Sequence, residues 1–153
     1  MPALVHGTAV VVGTTGLILV GASGSGKSSM AIRMMEGARR SGHLARLVSD
    51  DQVFVDSVNG RVVATAPGTI KGRIELYGSG IGHAETIDHA VLHFALHPVV
   101  ADSANRIPEE NQGWKPAEGI TLPLRFIDRR FIDPFPWLMS LIPGFPVSGT
   151  FQV

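Results

Sequence analysis

The 153-residue chain contains no cysteine, which excludes disulfides, thiolate metal sites and a cysteine nucleophile. It also lacks net charge. Thirteen Lys and Arg balance thirteen Asp and Glu, so the basic field that non-specific nucleic-acid binding needs is missing. No Lys, Arg, Asp or Glu precedes Lys27. That opening segment nevertheless lacks the basic start of a targeting peptide, and glycines and threonines interrupt each of its apolar runs. No stretch reaches the roughly 18 apolar residues of a membrane span. These absences predict a soluble, cytoplasmic protein with neither nucleic acid nor membrane as partner. What is present is 44% hydrophobic residues, enough for a packed core, and a length suited to a single domain over residues 1–153.

Apolar segments 9–12 and 17–20 flank Gly13-Thr14-Thr15-Gly16, a hairpin signal because glycine admits the positive φ of tight turns. From Lys27 to about Arg40 the period becomes helical, with Met30, Ala31, Met34, Met35 and Ala38 on one face and Gly42 as a natural stop. A strand over 46–49 ends in Asp50-Asp51, and segments 53–57 and 61–66 flank the turn pair Asn59-Gly60. Residues 74–77 read as a strand leading into a glycine cluster. Residues 88–99 alternate as one strand, with Ala90, Leu92, Phe94 and Leu96 on one face. A linker over 101–118 leads to a strand at 120–125. Seven of the ten prolines follow residue 107, and five of the seven phenylalanines lie from Phe126 onward. Such a tail admits one short helix, with Asp133 as N-cap and Pro134 at its first position.

Gly21-Ala22-Ser23-Gly24-Ser25-Gly26-Lys27-Ser28 fits G-x-x-x-x-G-K-[ST] at every fixed position. The chemistry requires these types. Glycines let consecutive backbone N–H groups wrap a phosphate, and the following helix adds its positive end. Lys27 reaches the outer phosphate oxygens, and the Ser28 hydroxyl suits Mg²⁺. A chance match in a chain of this composition arises about once in two hundred. The hairpin before the loop and the one at Asn59-Gly60 together predict a mixed sheet with much antiparallel pairing.

Acidic residues supply candidate partners for this loop. Asp50-Asp51 closes a strand, where a carboxylate can face the γ-phosphate, bind Mg²⁺ or accept a hydroxyl proton. Successive side chains of a strand point oppositely, so only one of the pair is expected to face the phosphate fully. Glu75 lies inside an apolar stretch, which is costly unless it is paired, metal-bound or exposed at an edge.

In this order the motifs resemble the catalytic domain of the HPr kinase/phosphorylase family. Val5-His6-Gly7 resembles the family's "HG" strand, Gly21–Ser28 its P-loop, Leu47-Val48-Ser49-Asp50-Asp51 its "LVADD", and Ala66-Pro67 its "AP". Glu75-Leu76-Tyr77-Gly78-Ser79-Gly80-Ile81 resembles its "EIRGLGI" signature. Asn105-Arg106-Ile107-Pro108-Glu109-Glu110 and the segment 120–125 occupy the places of "DRLG" and "IPVRPGR". The resemblance implies an α/β fold with a mixed sheet and helices mainly on one side, shared with PEP carboxykinase. It implies an ATP- and Mg²⁺-dependent kinase acting on a serine of the phosphocarrier HPr, and a reverse reaction with Pi that gives PPi. By the same resemblance Asp51 is the general base and, in reverse, the acid; Ser28 and Glu75 hold Mg²⁺; and His6 lies near Asp51. Lys27 contacts phosphate, Arg106 is the catalytic arginine, and Arg125 belongs to the dephosphorylating segment. A homo-oligomer is implied, in a short form of the family without a separate N-terminal domain.

There are departures from the family pattern. Tyr77 stands where the signature has Arg, Ser79 where it has Leu, and no glycine follows Arg125. They keep open a catalytically weak nucleotide-binding regulatory module that meets a sensor kinase. A small-molecule P-loop kinase is a separate alternative, which would need an acceptor pocket and usually a lid carrying several arginines. His89, His93 and His97 would line one helical face, but on a strand a four-residue step of about 13 Å is too long to share one ion. Phe131, Phe135, Trp137 and Phe145 read as core cover or as an interface.

Overall fold

The computed structural model describes residues 2–76, 78–100 and 112–147. In chain order the strands and helices are β1 (Ala3–His6), β2 (Thr8–Val12), β3 (Thr15–Leu19), α1 (Lys27–Arg40), β4 (Ala45–Ser49), β5 (Gln52–Val58) and β6 (Arg61–Thr65). There follow β7 (Arg73–Leu76), β8 (Gly80–His83), β9 (His89–Leu92), β10 (Phe94–Val99), β11 (Gly113–Ala117), β12 (Ile120–Asp128) and α2 (Pro134–Leu141).

Six strands form one mixed sheet in the order β11-β12-β10-β3-β2-β4, and β1-β5-β6-β9 form a second, antiparallel sheet. The β7–β8 hairpin stands apart as a two-stranded sheet. In the large sheet β10 pairs parallel with both β3 and β12, while β2 pairs antiparallel with both β3 and β4. Strands β12, β10, β3 and β4 therefore all run one way and deliver their C-terminal ends to a common edge.

The central strands explain the apolar opening of the chain. Val10, Val12, Leu17 and Leu19 join α1 and α2 in one core, while Ala9, Val11, Ile18 and Val20 join the second sheet in another. A strand covered on both faces reads as a continuous apolar run. Both described helices pack on the same face of the large sheet, as the family resemblance implies. α1 keeps the expected bounds and buries Met30, Ala31, Met34, Met35 and Ala38. It ends as sequence suggested: Gly42 takes φ 84°, and the N–H groups of Gly42 and His43 return to the Arg39 and Ala38 carbonyls.

Two expectations are corrected. Gly16 is not part of a turn: it pairs with Val11 inside β3, and the turn is only Gly13-Thr14. A Cβ at Gly16 would stand 2.0 Å from the Val91 oxygen, so glycine is required by the close approach of the second sheet. The alternating segment 88–99 is not one strand either. It breaks at His93, and β9 and β10 enter different sheets. His93 makes the corner by double pairing with Gly16: its backbone N–H donates to the Gly16 oxygen at 2.8 Å, and its Nδ1 accepts from the Gly16 N–H at 3.0 Å. Leu92 accordingly faces the inter-sheet core, while Phe94 faces the helices. The tail aromatics also divide. Phe135 and Phe145 are core, whereas Trp137 is exposed and stacks on Phe131 with ring centroids 4.0 Å apart.

Candidate functional site

The glycine-rich loop leaves β3 at the edge where the parallel strands end, which is where open α/β sheets bind ligands. Gly21, Gly24 and Gly26 have φ of 133°, 81° and 95°, a backbone path that L-side chains resist. Gly26 is also the N-cap of α1, and no acidic residue occupies the helix's first turn. The positive end of α1 is thus left unneutralised by its own side chains. Lys27 is buried and folds back, with Nζ donating to the Gly21 and Ala22 oxygens at 3.0 Å each. The Ser25 hydroxyl is buried without a hydrogen-bond partner among the described residues. Backbone donors, an inturned ammonium and an idle hydroxyl make a cradle suited to a phosphate chain.

One carboxylate ties the loop to the sheet. Asp50, at the end of β4, is buried, and its Oδ1 accepts hydrogen bonds from Ser28 Oγ at 2.6 Å and from Thr8 Oγ1 at 2.8 Å. Its Oδ2 accepts from the Glu75 backbone N–H at 2.8 Å. Three donors from three different segments converge on this group. Asp51, next in the chain, is exposed and takes φ 66°. The Gln52 N–H closes back on the Asp50 oxygen at 2.8 Å, a tight turn in which the Asp51 backbone is held between Gly7 and Thr8. Of the pair Asp50 is the one turned inward; both lie between β4 and β5, so the turn at Asp51 rather than strand alternation decides it.

The remaining sequence-predicted residues fall in three groups. His6 is exposed at the end of β1, paired in register with Gln52 and so beside Asp51. Glu75 presents an exposed side chain on β7, and its contact with the site is through its backbone N–H. Arg125 was expected at a strand end, but β12 continues to Asp128. Arg125 instead lies in mid-strand opposite Leu96, with Nη1 donating to the Leu124 oxygen at 3.2 Å. Arg106 lies outside the described residues.

Three site residues escaped sequence reasoning. Thr8 shares Asp50 with Ser28; its signal was a polar residue opening an otherwise apolar strand. His97 underlies the loop: a Cβ at Gly21 would stand 3.0 Å from His97 Nε2 and 3.0 Å from Ser25 Oγ. Burial, and then the charge of Lys27, lowers the His97 pKa from its ordinary value and favours the neutral ring. Arg129 follows β12 and reaches the loop, with Nη1 3.5 Å from the Gly24 oxygen. No spacing rule marks it, because the strand length that places it was underestimated. Among the described residues no group of three or more His, Cys, Asp or Glu side chains is gathered for a metal. No described helix is long and apolar enough to cross a membrane.

Comparison with known proteins places this geometry in context. Residues 2–93 match a family model described as the HPr serine kinase C-terminal domain. The chain is similar to the HPr kinase/phosphorylase of Clostridium beijerinckii, with 31% identity over 110 residues, 72% of this chain and 32% of that protein. It is similar to that of Mycoplasmopsis pulmonis, with 39% identity over 77 residues, half of this chain and 23% of that protein. The chain thus spans about a third or less of the length of these relatives. Its fold is similar to that of the Hpr(Ser) kinase/phosphatase from Coxiella burnetii, with a TM-score of 0.72 at 18% identity, over 91% of this chain and 87% of that one.

Proposed function

Because the chain belongs to the HPr serine kinase C-terminal domain family, we propose that it phosphorylates a serine of an HPr-like phosphocarrier protein, using ATP and Mg²⁺, and reverses the reaction with Pi. The single observation that carries this reading is the junction of the P-loop hydroxyl of Ser28 with the buried carboxylate of Asp50. It fixes the loop against the sheet, which supports a phosphate site there. ATP would lie along Gly21–Ser28, with Lys27 turning from its two carbonyls to the outer phosphates.

Ser28 and Glu75 would hold the Mg²⁺, with Asp50 orienting Ser28. Hydroxyl and carboxylate oxygens are the hard donors this ion takes, so the residues present fit it. When bound, the ion neutralises charge on the phosphoryl oxygens. Asp51 is exposed beside the hydrogen-bonded centre, which supports access by an acceptor protein. Its carboxylate would take the proton of the substrate serine as the serine oxygen bonds to the γ-phosphorus and ADP departs. In reverse, a Pi oxygen bonds to the phosphoserine phosphorus. The serine oxygen leaves with the proton from Asp51, and PPi forms. The exposed His6 beside this turn would border the acceptor.

The test is incubation with ATP, Mg²⁺ and an HPr-type protein, read by intact mass. One added phosphoryl group on a serine is expected, and its removal on adding Pi, with PPi released. Lys27→Ala should lower the forward rate by at least about a hundredfold, as lost transition-state donors do. An unmodified carrier would rule the kinase reading out.

A further inference from the structure

We propose that Arg129 is a phosphate-binding residue of this site, moving from the Gly24 carbonyl onto the oxygens of a bound nucleotide polyphosphate. The inference rests on the P-loop reading above. Arg129 follows the last residue of β12, and its backbone N–H is fixed by the Val99 oxygen at 2.8 Å, so the strand edge sets its place. Its side chain lies along the loop: Cβ and Cδ are each 3.9 Å from where a Cβ on Gly26 would stand. Its guanidinium rests on Gly24 through one long contact of 3.5 Å. An arginine held by a single weak bond to a neutral carbonyl exchanges it readily for a charged partner.

The neighbouring cations are engaged differently. Arg130 grips both oxygens of Asp128. Among the described residues no carboxylate pairs with Arg129. Arg33 of α1 instead anchors the turn from behind, donating to the Arg129 and Phe131 carbonyls. The turn is thereby stapled to α1 while the Arg129 side chain stays exposed over the loop. With no acid in the first turn of α1, this edge holds Lys27, Arg129 and a helix N-terminus together. A phosphate chain is the ligand such a cluster fits, and the planar guanidinium can hold two phosphate oxygens at once.

The test is calorimetric titration of ATP and of AMP, at constant Mg²⁺, into the wild type, Arg129→Ala and Arg130→Ala. The Arg129 variant should bind ATP about tenfold more weakly, the loss of one charge-assisted contact. AMP should lose clearly less, and the Arg130 variant should stay within about twofold. Its exposed position means Arg129→Ala should melt with the wild type. Unchanged ATP affinity in Arg129→Ala, with the wild type binding well, overturns the inference alone and leaves the P-loop reading standing. Equal losses for AMP and ATP, or equal losses in both variants, also overturn it, since they indicate a base contact or a general field. A wild type that binds no ATP overturns the P-loop reading and this inference with it.

Discussion

At Asp50 three donors meet one buried carboxylate, and a methyl group in its place leaves all three without their acceptor. Asp50→Ala should cost about 1–3 kcal/mol of folding stability in urea unfolding and also release Ser28. Asp51 poses the opposite case. Its φ of 66° is uncomfortable for any residue but glycine, so Asp51→Gly should stay within about 1 kcal/mol of the parent in urea unfolding. Phosphoryl transfer to the carrier should nevertheless disappear if Asp51 takes the serine proton. A fully active Asp51→Gly protein would remove Asp51 from the mechanism. The sequence could not show which acid of this pair turns inward, because both lie between β4 and β5, beyond strand alternation, and the choice is made by a left-handed turn at Asp51 that no residue type announces. The glycine-rich loop was legible as a loop, since Gly21, Gly24 and Gly26 are demanded by the backbone path itself. Arg129 was not, since an arginine just beyond a strand looks like any exposed cation until the strand's length is known.

Elements were legible where one surface decides them. α1 was found to the residue because its apolar face and its Gly42 stop agree. The segment 88–99 was misread because alternation persists through His93 even though the two halves serve different sheets. That corner carries a pH dependence. Burial lowers the His93 pKa from its ordinary 6.5, and the Gly16 N–H directed at Nδ1 calls for an unprotonated nitrogen there. A depressed histidine pKa contributes stability that is complete above about 6.5 and is lost as pH falls toward the folded-state value. His97 shifts in the same direction. The melting temperature should therefore fall between pH 7 and 5, and fall less in His93→Gln; parallel slopes in both proteins would contradict this. α2 offers a second contrast. Phe135 is fully buried, against Gly37 and near Phe145, and Phe135→Ala should cost about 3–5 kcal/mol. Trp137 is 43% exposed, and Trp137→Ala should cost less than about 1 kcal/mol. Equal destabilisation in chemical unfolding would show that the outer face of α2 is covered.

Across the whole molecule, the site is assembled from β2, the β3–α1 loop, β4, β7 and the end of β12, so a ligand there restrains nearly the entire large sheet. Saturation with MgATP at a hundred times its dissociation constant should raise global stability by about 2.7 kcal/mol. A melting temperature indifferent to ATP would mean that the loop does not bind it. Antiparallel pairing in the mixed sheet was legible from the β2–β3 hairpin, while the Asn59-Gly60 hairpin belongs to the second sheet. The strand order was not legible, because β10 reaches β3 across the chain rather than beside it. That order has a consequence for synthesis. While the ribosome is still making the first ninety or so residues, β3 is paired on its β2 side only, and its other edge is apolar and bare. The missing partner is residues 94–99, and β10 in turn needs β12. A nascent or truncated chain therefore carries an open strand edge of the kind that recruits other chains. Fragments ending before residue 94 should pellet on expression, whereas chains extending through α2 should not.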